Sequence, residues 1–234
     1  MAAQPIQTVL FDLDGTFADT APDLAHALNQ TLAAHHEPTL TVEQIRPAVS
    51  HGGKALIELG FKISDSNPGF EPLRLELLEF YKQDIATHTI LFDGINALIE
   101  QLPLLGISWG IVTNKPGWLT DPLMSALGIS DQACSIVSGD TLAQRKPDPE
   151  PLLYAAKQCG IAAEACLYIG DAERDIVAGK RANMRTMVAR YGYIETDSHP
   201  ADWQADIYID HANEILDWVL KINNTSLAST LHAH

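Results

Sequence analysis

The chain has 234 residues, of which 46% are hydrophobic and 19% charged, a composition that excludes a disordered polypeptide and fits a folded globular one. Thirty Asp and Glu against 15 Lys and Arg leave a formal net charge of −15, which argues against nucleic acid or an anionic membrane as partner. An anionic substrate on such a chain needs local compensation from a metal ion, a few lysines or helix N-termini.

The first element is an apolar run, Ile6 to Phe11, that reads as a buried strand ended by a turn signal. Two carboxylates one residue apart, Asp12 and Asp14, close it, and Gly15 and Thr16 follow. Alternate strand residues share a face, so the two carboxylates start on one side and repel unless a cation or a proton intervenes. A solvated Asp-x-Asp-Gly turn is one reading of this stretch. The other is a phosphoryl-transfer site, with one carboxylate as nucleophile and its neighbour as acid and base.

From Thr20 the pattern becomes helical. Thr20 with Asp23 resembles a capping box, with Pro22 in the first turn and Leu24, Leu28 and Leu32 as the apolar stripe. Thr41 with Gln44 predicts a second capping box, and Pro47 shortens or kinks the helix that follows. Ser50, His51, Gly52, Gly53 and Lys54 form a small-residue loop before a short apolar helix. Phe70, Leu73, Leu77, Tyr81 and Ile85 mark a longer amphipathic helix. Residues 18–88 therefore read as a helical domain without strands, inserted into a core of residues 1–17 and 89–220.

Beyond residue 90 strands and helices alternate. Helices are expected over 94–102, 117–127, 149–159 and 175–182, and strands over 107–113, 134–138, 167–169, 186–189 and 207–209. This alternation predicts an α/β fold: a Rossmann-like three-layer α/β/α core with a mainly parallel sheet. Residues 221–234 read as a polar, frayed tail. Cys134, Cys159 and Cys166 are scattered, which predicts reduced thiols. With neither a signal peptide nor an 18-residue apolar run, the expected setting is cytoplasmic and no membrane partner is expected.

In such folds ligands bind beyond the C-terminal strand ends, and the polar residues gather there. Asp12 and Asp14 end the first strand, Thr113 the next, and Asp171 a later one, with Asp175 four residues on. Lys146 lies in the loop Arg145-Lys146-Pro147-Asp148-Pro149. Three carboxylates with water and phosphate oxygens suit Mg2+, which prefers oxygen ligands. Thr113 can donate to a phosphoryl oxygen, and Lys146 can offset charge growing on it.

Asp12-Leu13-Asp14-Gly15-Thr16, Thr113, Lys146 and Gly170-Asp171-Ala172-Glu173-Arg174-Asp175 together resemble the four-motif signature of the haloacid dehalogenase-like hydrolases. The helical insertion is similar to that superfamily's C1-type cap. Val112 to Pro116 and Lys146 to Pro151 resemble its phosphoglycolate phosphatase branch. Gly69 to Arg74, Trp109-Gly110, Arg190 to Tyr193 and Ala201 to Trp203 are similar to the bacterial N-acetylmuramic acid 6-phosphate phosphatases within that branch.

The resemblance implies a Mg2+-dependent phosphomonoesterase acting on a small phosphorylated metabolite. N-acetylmuramic acid 6-phosphate is the favoured substrate and 2-phosphoglycolate the alternative. Asp12 becomes the nucleophile and Asp14 the acid and base. Asp12, the backbone carbonyl of Asp14, and Asp171 become the metal ligands. Thr113 and Lys146 hold the transferring group, and Asp175 orients metal water or Lys146. Asn114 and Lys115 are candidates for phosphate or substrate contact, although Lys115 also reads as a solvated lysine. Ser50, His51, Gly52, Gly53 and Lys54 fall where such caps present a specificity loop, although the same residues read as a plain helix–helix turn. A phospho-acceptor signalling module is the rival class; the helical insertion and Asp14 argue against it. The oligomeric expectation is a monomer or homodimer.

Overall fold

The computed structural model describes residues 4–195 and 197–231, with side chains through 226. In chain order the elements are β1 (Thr8–Phe11), β2 (Ala18–Asp19), α1 (Ala21–Ala34), α2 (Val42–Ile45), α3 (Gly52–Phe61) and α4 (Phe70–Gln83). There follow β3 (Ile90–Leu91), α5 (Ile95–Leu104), β4 (Ser108–Val112), α6 (Gly117–Ala126), β5 (Ile136–Val137) and α7 (Glu150–Gln158). The chain ends with β6 (Cys166–Gly170), α8 (Glu173–Arg181), β7 (Arg185–Ala189), β8 (Ile207–Ile209) and α9 (Glu214–Leu231).

Among the described residues the main sheet runs β5-β4-β1-β6-β7-β8, with every pairing parallel. Side-chain alternation splits its two faces. Val9, Phe11, Trp109, Ile111, Leu167 and Ile169 pack into one apolar cluster with α5, α6 and α9. Leu10, Val112, Cys166 and Tyr168 pack into the other with α7 and α8. This is the three-layer α/β/α architecture expected of the alternating pattern. β1 is buried at every residue and lies between β4 and β6, so the chain reverses direction of growth across it. The crevice at that switch point is where ligands bind in open parallel sheets.

α1 to α4 form their own apolar cluster, from Leu24, Leu28, Leu32, Ile45, Leu56, Leu77 and Tyr81 among others. Thr20 and Asp23 do not make the expected capping box, and α1 has no side-chain cap. Thr20 donates to Asp14 Oδ1 at 2.6 Å instead. Asp23 accepts from the His88 and Thr89 backbone and from Thr89 Oγ1. A lost cap costs about 1 kcal/mol. Three buried leucines at roughly 2 kcal/mol each outweigh it. The Thr41–Gln44 capping box does form in both directions, and the helix gives way to a 3-10 turn at Arg46–His51 around Pro47.

Three further expectations are corrected. The segment 18–88 is not free of strands, because Ala18–Asp19 pairs antiparallel with Ile90–Leu91 and makes a two-stranded base for the helical unit. Two residues are too few to give a periodic signal. From Lys221 to Leu231 the segment is helical rather than frayed, and Asn223 bonds the Ile6 backbone in both directions, at 2.6 and 3.0 Å; residues 232–234 of the expected tail lie outside the described residues. Cys134 and Cys159 are not separate thiols but a disulfide, with Cα atoms 5.2 Å apart, joining the approach to β5 to the end of α7. Residues 25 positions apart reveal that proximity only through the fold. Cys166 remains a buried thiol.

Candidate active site

Asp12 follows β1, Thr113 follows β4 and Asp171 follows β6, so three adjacent central strands deliver their polar residues to one edge. Lys146 enters from the loop after β5, across a cis Lys146–Pro147 peptide. Its Nζ lies 2.9 Å from Asp12 Oδ1 and 2.8 Å from Asp175 Oδ1, and it donates to the Val112 carbonyl and Tyr168 Oη. Burial works against the Asp12 charge, but Lys146 and then Arg174 outweigh it and hold the carboxyl below the usual range. Asp12 Oδ1 also accepts the Leu13 N–H at 2.8 Å. Its Oδ2 has no hydrogen-bond partner among the described residues.

Asp14 turns to the other side. Lys115 Nζ at 2.8 Å and Thr20 Oγ1 at 2.6 Å both donate to its Oδ1. Oδ2 is left without a partner among the described residues, available to carry a proton. Lys115 is therefore not a solvated lysine: it is buried, and although burial opposes its charge, Asp14 holds its ammonium above the usual lysine range. Thr113 Oγ1 accepts the Lys115 N–H at 3.2 Å and keeps its own proton for another acceptor. Asn114 borders the cavity, but its amide is engaged with the Lys146 backbone at both N–H and C=O.

Asp12, Asp171 and Asp175 each offer an oxygen within 4.8 Å of the others. Burial, then Asp12 and Asp175, push Asp171 up to about 7. A cation relieves that crowding, and an all-oxygen donor set suits a hard metal ion. Both oxygens of Asp175 are engaged, Oδ1 by Lys146 and Oδ2 by the Ala172 N–H, so it braces the cluster rather than facing outward. The Asp14 carboxylate stands outside the cluster. Gly15 has φ +87°, and a Cβ there would overlap Asp171 Oδ2, so only glycine lets the turn lie this close.

The helical unit meets this site through its loop. Ser50 Oγ donates to Asp171 Oδ2 at 2.8 Å, and Arg174 Nη2 donates to the Ser50 carbonyl at 2.5 Å. His51 Nε2 lies 3.0 Å from Glu195. A cavity of about 830 Å3 opens between the two units, bordered by Asp12, Asp14, Thr113 and Lys115 on one side and by residues 49–54 and α4 on the other. Gly52, Gly53 and Lys54 line it, but Lys54 is half exposed and tied to Asp65 at 2.5 Å.

A model of the haloacid dehalogenase-like hydrolase family matches residues 9–189. The chain belongs to the haloacid dehalogenase-like hydrolases. It is 40% identical over 217 residues to an N-acetylmuramic acid 6-phosphate phosphatase of Pseudomonas aeruginosa, covering 93% of this chain and 96% of that protein. It is 41% identical over 209 residues to a phosphoglycolate phosphatase of Xanthomonas campestris pv. campestris, covering 89% and 94%. The fold matches the crystal structure of a predicted phosphoglycolate phosphatase from Haemophilus somnus with a TM-score of 0.80 at 24% identity, over 91% of this chain and 97% of that one. This haloacid dehalogenase-like hydrolase is a phosphatase. No described helix is long and apolar enough to cross a membrane.

Sequence reasoning passes over Trp118, meets Arg74 only within a stretch of family resemblance, and takes Arg174 as a solvent-facing residue of the first helical turn; all three line the cavity. Arg74 sits on the helix stripe's polar side and Trp118 in the first turn of α6. Only the packing of α4 over α6 brings them to one space. Tyr81 was legible, but as part of the apolar stripe.

Proposed function

We propose that the chain hydrolyses the phosphomonoester of a small carboxylate-bearing sugar, favouring N-acetylmuramic acid 6-phosphate, with Mg2+ as cofactor. Asp12 Oδ2 attacks phosphorus, the bond to the leaving oxygen breaks, and an aspartyl-phosphate forms. Asp14 gives its proton to the leaving alcohol, then takes one from the water that frees phosphate and restores Asp12. Lys146 and Thr113 hold the transferring group, with Lys146 fixed by Asp175. Asp12, the Asp14 carbonyl and Asp171 hold Mg2+, which supplies charge neutralisation at the phosphoryl oxygens. Residues 18–88 act as a cap whose closure keeps water out until the alcohol has left. A cytoplasmic setting goes with such a metabolite.

The cavity carries the substrate reading. A volume of about 830 Å3 far exceeds what a two-carbon acid needs, and its lining joins cations to the apolar surfaces of Leu75, Leu78 and Trp118. The relative from Pseudomonas aeruginosa supports the same choice. The Xanthomonas relative favours a second reading, 2-phosphoglycolate. Phosphate release from the two substrates, compared by kcat/KM with Asp12→Asn as blank, tests both. A large preference for the sugar phosphate is expected. A preference for phosphoglycolate overturns the substrate, and turnover surviving in Asp12→Asn overturns the chemistry.

A further inference from the structure

Tyr81 lies on α4 with none of its surface exposed, yet its hydroxyl makes no hydrogen bond of good geometry: its polar neighbour is the Lys115 ammonium, which is already given to Asp14. Leaving a buried hydroxyl unpaired is costly, and native structures rarely do so without a reason. Two other buried atoms share this state among the described residues, Gln30 Oε1 and Trp109 Nε1, and neither residue lines the cavity. Tyr81 does line it, together with Asp12, Asp14 and Thr113. Its ring lies over Lys115 Nζ, 4.4 Å from the centroid, and that same ammonium donates to Asp14 Oδ1. Tyr81 is thereby fixed on the Asp14 side of the site, where the leaving alcohol must accept its proton. Phenylalanine would fill the helix stripe equally well, so packing against Leu77 and Leu28 does not account for the hydroxyl. Burial keeps the phenol protonated, pushed up to about 12, so it is a donor throughout the working range.

We propose that the Tyr81 hydroxyl is a specificity-determining group that donates a hydrogen bond to an oxygen of the substrate's leaving group other than the ester oxygen. The inference rests on the phosphatase reading and on the acid role of Asp14. It predicts a preference for leaving groups that carry hydroxyl, ether or carboxylate oxygens over bare aryl groups.

Tyr81→Phe isolates the hydroxyl, because it keeps the ring over Lys115, whose ammonium stays on Asp14 Oδ1. The test compares kcat/KM of wild type and Tyr81→Phe for two substrates. One is the best of N-acetylmuramic acid 6-phosphate, N-acetylglucosamine 6-phosphate and 2-phosphoglycolate; the other is para-nitrophenyl phosphate. Tm is measured alongside. The expected result is a ratio of the two kcat/KM values that falls about tenfold or more, at a Tm equal to or above that of wild type. An unchanged ratio overturns the proposal, whether both values hold or both fall, since equal losses mean a packing or phosphoryl role. The phosphatase reading fails separately, by absence of Asp12-dependent turnover in the wild type, and takes this inference with it.

Discussion

Asn114 and Lys146 hold each other reciprocally: Asn114 Nδ2 donates to the Lys146 carbonyl at 3.0 Å, and Asn114 Oδ1 accepts the Lys146 N–H at 3.1 Å. This side chain at the cavity's border fixes the backbone of the lysine that faces Asp12. Asn114→Ala removes both bonds, and a part-buried pair of this kind is worth about 1–3 kcal/mol. A displaced Lys146 lowers kcat by roughly a hundredfold, since small errors of position are expensive in the transition state. Urea denaturation and steady-state kinetics check this. A rise in KM alone, at unchanged stability, would return Asn114 to substrate contact.

Lys146 also has a structural task that can be separated from the chemical one proposed for it. Its ammonium compensates two buried carboxylates, Asp12 and Asp175. Burial outweighs Lys146 at Asp175, whose carboxyl stays above the usual range, so the balance there is already narrow. Lys146→Met leaves Arg174 to offset both carboxylates without Lys146 and destabilises the fold by about 3–5 kcal/mol. Lys146→Met with Asp175→Asn regains most of that stability in chemical denaturation and none of the turnover.

Asp171 makes the metal-free protein sensitive to pH. Its carboxyl is pushed up to about 7 in the fold, mainly by burial and then by Asp12 and Asp175, against 3.8 ordinarily. Between those values the folded chain holds a proton that the unfolded chain has lost. Stability therefore falls as pH rises from about 4 to about 7. Without metal, Tm of the wild type drops across this window more steeply than Tm of Asp171→Asn. Added Mg2+ raises the wild-type Tm most above pH 7, where it need not displace the proton, and leaves Asp171→Asn nearly unmoved. Parallel Tm profiles for the two proteins would remove Asp171 from the metal site.

The parallel sheet and the strand-end residues were legible because buried parallel strands write themselves as apolar runs, and Asp12, Thr113 and Asp171 follow those runs directly. Lys146 was legible only through its motif, since a loop has no periodicity to place it. What sequence could not give is proximity between units. Ser50 against Asp171, Tyr81 over Lys115 and Cys134 against Cys159 are each settled by packing, between residues 25 to 121 positions apart. Thr20 and Asp23 show the converse error: a correct local pattern whose side chains found stronger partners in Asp14 and in the segment His88-Thr89.

The three cysteines should separate cleanly by accessibility. Cys134 and Cys159 are paired, and burial, then Glu164, pushes the Cys166 thiol up to about 12. Against an ordinary thiol pKa of about 8.5, that cuts the thiolate fraction at pH 8 by roughly a thousandfold. Alkylation followed by mass spectrometry of the native protein should modify no cysteine quickly. Prior reduction exposes two, and reduction in denaturant all three. Two fast thiols without reduction would show that Cys134 and Cys159 stand apart in solution.

Gly192 is where the least added volume should do the most harm. A Cβ at this position would overlap the Gly15 carbonyl and the Asp171 side chain, so the loop from Arg190 to Tyr193 cannot keep its place with any larger residue. That loop supplies the Tyr193 N–H to Asp171 Oδ2 at 2.8 Å, Tyr191 Oη to the Thr16 carbonyl at 2.9 Å and Tyr193 Oη to Asp19 Oδ1 at 2.7 Å. Gly192→Ala thus strikes both a candidate metal ligand and the start of the helical unit. Overpacking alone costs about 1–3 kcal/mol. The fuller expectation is that the Mg2+ concentration for half-maximal activity rises at least tenfold, as Asp171 loses its backbone donor and shifts. Gly128→Ala is the control: its φ is +71° with open space around it, so it loses about 1 kcal/mol through backbone strain and keeps the wild-type Mg2+ requirement. Equal metal dependence in the two variants would mean that the Tyr191–Tyr193 loop stabilises the fold without shaping the metal site.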